Sequence, residues 1–377
     1  MADLIFIGQN WEKNSKSQQN LVTQLLSQHR VIWISCTCLT SRHSFKEVIK
    51  KINHYFSVSD QTVEPVQYEQ LFLHSVIQLS EINLPIIQSV NEKILTDKIK
   101  QLSLRYGFEK IVIFYTQSNL PYLSWLADTS TDIYFHSWHR SIKSSTMRAA
   151  KALAAKCLLT FTESTDSPID FDDLSTIELS PGIDYPSLSV PAKHPDGFDN
   201  TRPVAGYFGK LTNKLNIELL IQAATALPNW QFIFAGEVKC KKGVLDELPN
   251  VQFLEVKPGC LASAYTQNWD VSLLPFIPED LDHNDLILLQ EYLATGTPIA
   301  ATQHPYTCNY EQCISIQGSK ELYSQTIQRA LSDTSRQKLR QQMAKPESWQ
   351  SKAVQLNDLI IHLTANQSLT NRQESLF

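Results

Sequence analysis

Residues 270–302 read DVSLLPFIPEDLDHNDLILLQEYLATGTPIAAT. An apolar run ends at Pro275, a polar acidic loop follows, an amphipathic stretch carries Glu291, Gly296 ends it, and a second apolar run begins at Pro298. That succession predicts strand, loop, helix, strand. Asn284 or Asp285, at the loop-to-helix junction, is placed to cap the first turn. The backbone N–H groups left over there, with the helix dipole, favour an anion such as a diphosphate. Glu291 follows Asn284 by seven residues, so both share a helix face separated by roughly 10 Å of rise. A carboxylate at that point could accept hydrogen bonds from the two hydroxyls of a ribose. The alternative is an exposed helix glutamate that meets only solvent.

Working outward, the second half of the chain repeats strand–helix units: VAGYF from 204, a helix near 216–226, QFIFAG, VQFLEV and the helix CLASAYTQN before the quoted stretch. This predicts a doubly wound α/β domain. The first half predicts another. LIFIG at 4–8 and RVIWIS at 30–35 flank a helix near 17–28, and KIVIFY, DIYF, CLLTF and TIEL read as later buried parallel strands. In SVNEKILTDKIKQLSLRYG, Ser89 and Glu92 have capping-box spacing and Gly107 marks the end. No G-x-G-x-x-G follows the first strand, so a nicotinamide cofactor is unsupported. The expected organisation is a Rossmann-like domain over 1–185, a proline-rich polar linker over 186–203, a second such domain over 204–345, a helix over 346–364 and a frayed tail over 365–377. Two doubly wound domains facing one another leave a cleft at the carboxyl ends of their sheets.

Composition narrows the functional classes. The chain of 377 residues is 42% hydrophobic and 19% charged, ordinary for a globular protein with full cores. A net charge of −5 argues against nucleic acid as the main partner. No eighteen-residue apolar run and no basic leader followed by an apolar core occur, so a cytoplasmic protein is expected. The seven cysteines lack C-x-x-C pairing, and neither a disulfide framework nor a zinc site is indicated.

The run WDVSLLPF followed by EYLATGTPIAAT, with RPVAGYFGKL, LPNWQFIFAGE and LPNVQFLEV upstream, resembles the donor-binding half of GT-B glycosyltransferases. It resembles in particular the family 4 group of bacterial surface-polysaccharide enzymes, and the N-terminal half is only loosely similar. The resemblance implies two Rossmann-like domains with a last helix, near Trp349, crossing back to the first domain. It implies transfer of a sugar from a nucleotide-sugar to a polysaccharide, lipid-linked or other glycan acceptor, with retention, without metal and without a cofactor. Glu291 matches the glutamate that binds the donor ribose. The chain departs from the family at Leu288 and Leu286, where a lysine preceded by a proline is usual, and at His283, where an E-x7-E pair would begin.

With that lysine replaced, Gly209, Lys210 and Lys214 in GYFGKLTNK become the candidates for holding the diphosphate, glycine letting the backbone approach and lysine supplying charge. Surface lysines on a loop are the alternative. Gln9, Asn10 and Trp11 follow the first strand, where the resemblance implies acceptor contacts; Trp11 could equally cover a sheet edge. His136 and His139 lie in YFHSWHRSIKSSTMRAAKALAAKC, a candidate general base or phosphate hydrogen-bond donor. The basic residues of that run, Arg140, Lys143, Arg148, Lys151 and Lys156, suit either an anionic membrane surface or a solvated helix face. PIDFDD, with Asp170, Asp172 and Asp173, is a weak D-x-D match. Two rival readings remain: a non-catalytic GT-B paralogue serving as partner or scaffold of an active transferase, and a nucleotide-sugar epimerase. The base is expected to be read by backbone groups near Val256–Pro258.

Overall fold

Every residue of β1 (Asp3–Gly8, DLIFIG) is buried, as befits a strand covered on both faces. In the computed structural model the strands that follow it are β2 (Arg30–Leu39), β3 (Leu71–Leu79), β4 (Ile111–Tyr115), β5 (Ile133–His136), β6 (Leu159–Thr162) and β7 (Thr176–Glu178). They form one parallel sheet in the order β3-β2-β1-β4-β5-β6-β7. One face carries Ile5, Ile7, Ile32 and Ile113 against Leu95, Ile99 and Leu102 of the Pro85–Tyr106 helix. On the other, the Phe6 ring stacks on Trp33 and Phe114. The structure describes residues 2–13, 16–39, 68–79, 85–116, 123, 132–136, 144–162, 176–193, 201–256, 262–277 and 283–366.

A second parallel sheet comprises β8 (Val204–Phe208), β9 (Gln231–Ala235), β10 (Val251–Leu254), β11 (Val271–Leu274), β12 (Ile299–Ala301) and β13 (Ser315–Ile316), ordered β10-β9-β8-β11-β12-β13. In both sheets the strand order reverses direction beside the first strand of the series, which makes the crevice outside the carboxyl ends of β1 and β4, and of β8 and β11, the switch point of a doubly wound fold. Phe232, Phe234, Leu273, Tyr292 and Leu293 anchor the core of the second sheet. Gly206 is a packing residue there, since a Cβ would fall 1.8 Å from the Trp269 ring.

The chain divides into two compact units, Met1–Pro181 with Lys352–Phe377, and Gly182–Ser351. The Trp349–Asn366 helix is shared between them by sequence. Its Trp349 N–H donates to Ile183 O in the second unit (3.2 Å), while Asn357 Oδ1 meets the buried His29 Nε2 in the first (2.9 Å). Leu356 and Ile360 of this helix are buried.

Three details differ from the sequence reading. The helix expected from Ser89 begins at Pro85, a residue preorganised for the first helical position, and Ser89 and Glu92 lie inside it. Gly107 does end it, at φ 61°. The strand β3 was not foreseen. The stretch read as a polar linker from 186 instead belongs to the second unit: Tyr185–Ser189 is a short helix capped by Asp184, Leu188 is buried, and Gln267 hydrogen-bonds the backbone of Leu188, Val190 and Ala192. The tail from 367 and the PIDFDD segment lie outside the described residues. Among the described residues no helix is long and apolar enough to cross a membrane.

Arg340 holds the second unit's helices together. Its guanidinium, 1% exposed, donates to Gly296 O (2.9 Å), Cys313 O (3.1 Å) and Asp333 O (3.0 Å), with the Asp333 carboxylate at 3.5 Å. Arg340→Met would leave these buried acceptors without their donor, and a loss of about 3 kcal/mol or more is expected, read by calorimetry as a lower melting transition for the second unit.

Candidate functional site

The site is built at the carboxyl ends of β8 and β11, within the second unit. After β8 the chain turns through Gly209, whose φ of 146° is open to glycine, and its N–H donates to Ala235 O (2.9 Å). The loop after β9 comes so close that a Cβ on Gly236 would sit 2.0 Å from Gly209 O. Leu211 N–H then donates to Glu237 O (2.9 Å). At the far end of the β8 loop, Ile277 N–H donates to Lys214 O and Asn216 N–H to Pro275 O, both at 2.8 Å. Asn216 also caps the Ile217–Ala226 helix, accepting from Leu219 N–H. The loop is thus fixed at both ends, with the Lys210 side chain exposed and that of Lys214 24% exposed.

The chain leaving β11 re-enters order as the His283–Thr295 helix, stopped by Gly296 at φ 78°. Asn284 and Asp285 lie inside its first turn, so neither is the cap that the sequence pointed to. Asp285 instead pairs with Lys214, Nζ to Oδ2 at 3.0 Å, the carboxylate being 16% exposed. The Asn284 position is described but its side chain is not. Leu286 and Leu288 are half-buried, and Leu288 packs against the core.

Glu291 is half-buried on this helix. Among the described residues no hydrogen bond or ion pair to its carboxylate is found, and burial pushes its pKa up to about 7. Its neighbour Tyr292 is wholly buried and accepts from Phe208 N–H through its hydroxyl (2.8 Å), which locks the helix to the end of β8. Tyr207, whose hydroxyl donates to Lys210 O (3.2 Å), is raised by burial and then by the Asp285 charge. The roles of Tyr207 and Tyr292 could not be read from the sequence, where both pass as core aromatics.

In the first unit, Gln9, Asn10 and Trp11 follow β1 at the corresponding switch point. Gln9 O accepts from the Trp33 ring N–H (2.9 Å), Asn10 Oδ1 accepts from Glu12 N–H (2.9 Å), and Trp11 packs edge-on against Trp33 at 5.0 Å. Gln9 and Asn10 keep exposed side chains. His136 ends β5, its side chain not described; His139, Arg140 and Lys143 lie outside the described residues. Arg148, Lys151 and Lys156 are exposed, whereas Ala150 and Leu153 of the same segment are buried. The acidic loop Glu279–Asp282 and the segment from Lys257 to Pro258 lie outside the described residues, so the base-reading contacts expected there have no structural description. Among the described residues no group of three or more His, Cys, Asp or Glu is placed to hold a metal.

Two parallel-sheet, Rossmann-like domains of this kind define the GT-B fold. No protein-family model matches the chain, and no curated protein matches it in sequence. Solved structures do. A sucrose-phosphate synthase from Thermosynechococcus elongatus is 14% identical at a TM-score of 0.57, over 97% of this chain and 100% of that one. HepE from Anabaena in complex with UDP is 14% identical at 0.56, over 96% and 100%, and has also been seen with UDP-glucose. A glycosyltransferase from Rickettsia africae is 11% identical at 0.60, over 97% and 99%. At these identities the likeness is one of fold.

Burial of Glu291 has a thermodynamic sign. The folded carboxyl keeps its proton up to about pH 7, whereas an ordinary one loses it near 4.5. The folded state therefore binds more protons between those values, and stability falls as pH rises through that window. Glu291→Gln removes this loss. At pH 8 the variant should be more stable than the parent by on the order of 1–3 kcal/mol, with little difference at pH 4.5, in denaturant titrations at the two pH values.

Proposed function

We propose that this protein is a glycosyltransferase that moves a sugar from a nucleotide-sugar to a glycan or lipid-linked acceptor in surface-polysaccharide synthesis, with retention and without a metal. The observation that carries the reading is Glu291. A half-buried carboxylate whose pKa stands near 7, with no partner among the described residues, is costly to the fold. Ribose hydroxyls would supply the hydrogen bonds it lacks. UDP and UDP-glucose in the HepE structures support the same ligand class for a chain of this fold.

In this reading Gly209, Lys210 and Lys214 hold the donor diphosphate, aided by the first turn of the Glu291 helix around Asn284 and Asp285. Stabilising charge on the leaving diphosphate is the step these groups would perform. Gln9, Asn10 and Trp11 contact the acceptor, and His136 or His139 acts as general base or phosphate hydrogen-bond donor. The exposed Arg148, Lys151 and Lys156 support peripheral contact with an anionic membrane face from the cytoplasm. A second reading, a non-catalytic partner of an active transferase, is favoured by one observation: Lys214 is already neutralised by Asp285.

Calorimetric titration with nucleoside diphosphates and nucleotide-sugars, without added metal, tests the reading. Binding of one nucleoside diphosphate is expected, strengthening as pH rises through about 7, where Glu291 becomes the ionised acceptor. Glu291→Gln should weaken it by about 1–3 kcal/mol and abolish that pH dependence. Donor hydrolysis separates enzyme from scaffold: slow hydrolysis supports the transferase, and binding without any turnover, with or without acceptors, supports the partner.

A further inference from the structure

Asp285 and Lys214, 71 residues apart in sequence, meet at 3.0 Å where the β8 loop faces the Glu291 helix. Each is held by its surroundings. The Lys214 backbone is tied to Ile277 (2.8 Å), and Asp285 belongs to the first turn of a helix whose neighbour strand end is locked by Tyr292. With exposures of 24% and 16% the pair is sheltered enough for its attraction to exceed that of a surface pair, yet both ends remain within reach of a ligand. A carboxylate on a lysine at the start of a helix occupies the kind of place a phosphate takes.

Building on the donor-site reading, we infer that Asp285 is an internal counter-anion, holding Lys214 in the place of a ligand phosphate, so that a nucleoside diphosphate binds by taking Lys214 from it. Asp285 then sets specificity. A ligand with enough negative charge displaces the carboxylate, and one with a single phosphate does so less well. Lys214 stays oriented in the empty site, and small anions are kept off it.

The test compares wild type, Asp285→Asn, Lys214→Met and the double variant in titrations with ADP, GDP and UDP, the matching monophosphates and the nucleosides. Asp285→Asn should tighten diphosphate binding about tenfold and narrow the preference for diphosphate over monophosphate, with nucleoside binding unchanged. The gain should vanish in the double variant. A gain that persists without Lys214 overturns the inference, because simple relief of repulsion would then account for it, and so does unchanged or weaker binding by Asp285→Asn. Asp285→Ser, which keeps a small polar side chain in the first helical turn, repeats the measurement should the asparagine variant fold poorly. If neither wild type nor the folded variants bind any nucleotide, the donor-site reading itself is lost; binding by wild type with no effect at Asp285 removes the counter-anion alone.

Discussion

Two backbone hydrogen bonds organise the second unit: Ile277 N–H to Lys214 O and Asn216 N–H to Pro275 O. β8 and β11 pair over only two registers, Ala205 with Val271 and Gly206 with Ser272. Beyond them the pairing ends, and the chain goes on to the Ile217–Ala226 helix after β8 and to the His283–Thr295 helix after β11, as at a switch point in a doubly wound sheet. The two bonds rejoin what the sheet lets diverge. They bring the loop bearing Lys210 and Lys214 to the path that leads into the Glu291 helix, and Tyr292, bonded to Phe208 N–H, fixes that helix from beneath. Trp269 fits under β8 because Gly206 has no side chain.

The Glu291 helix is held at both ends by charge. Asp285 reaches Lys214 near its start, and the buried Arg340 takes the Gly296 carbonyl just past its end. Between them sits a carboxylate that the fold alone does not satisfy. Burial without a described partner makes that carboxylate the costly group of the helix, and the proposed ribose contact would offset the cost.

Much of the fold was legible because buried parallel strands are apolar throughout. LIFIG, IVIFY and VAGYF announce themselves, and glycines at 107 and 296 end their helices in the left-handed region as expected. The strand β3 escaped because His74, Ser75 and Gln78 interrupt its apolar run; as the edge of its sheet it leaves Ser75 exposed, and His74 bonds the Tyr106 hydroxyl. The helix start at Pro85 was masked by a capping-box pattern, Ser89 with Glu92, that occurs by chance inside a longer helix. At the site, Glu291 stood out through its setting in EYLATGTP, yet nothing in that string reports its burial. The Lys214–Asp285 pair was out of reach for a simpler reason. Each charge was visible, but the sheet that joins them spans 71 residues of intervening chain, and sequence spacing carries no trace of it.

The discontinuous first unit has a consequence for how the chain matures on the ribosome. Its strands are made first, but the segment from Lys352, including Leu356, Asn357 and Ile360, is made after the whole of the second unit. Until then His29 lacks its partner Asn357, and the buried positions that Leu356 and Ile360 take up are not yet filled. The second unit is contiguous from Gly182 to Ser351 and can close as it emerges. The half of the protein that is synthesised first is therefore the half that is completed last.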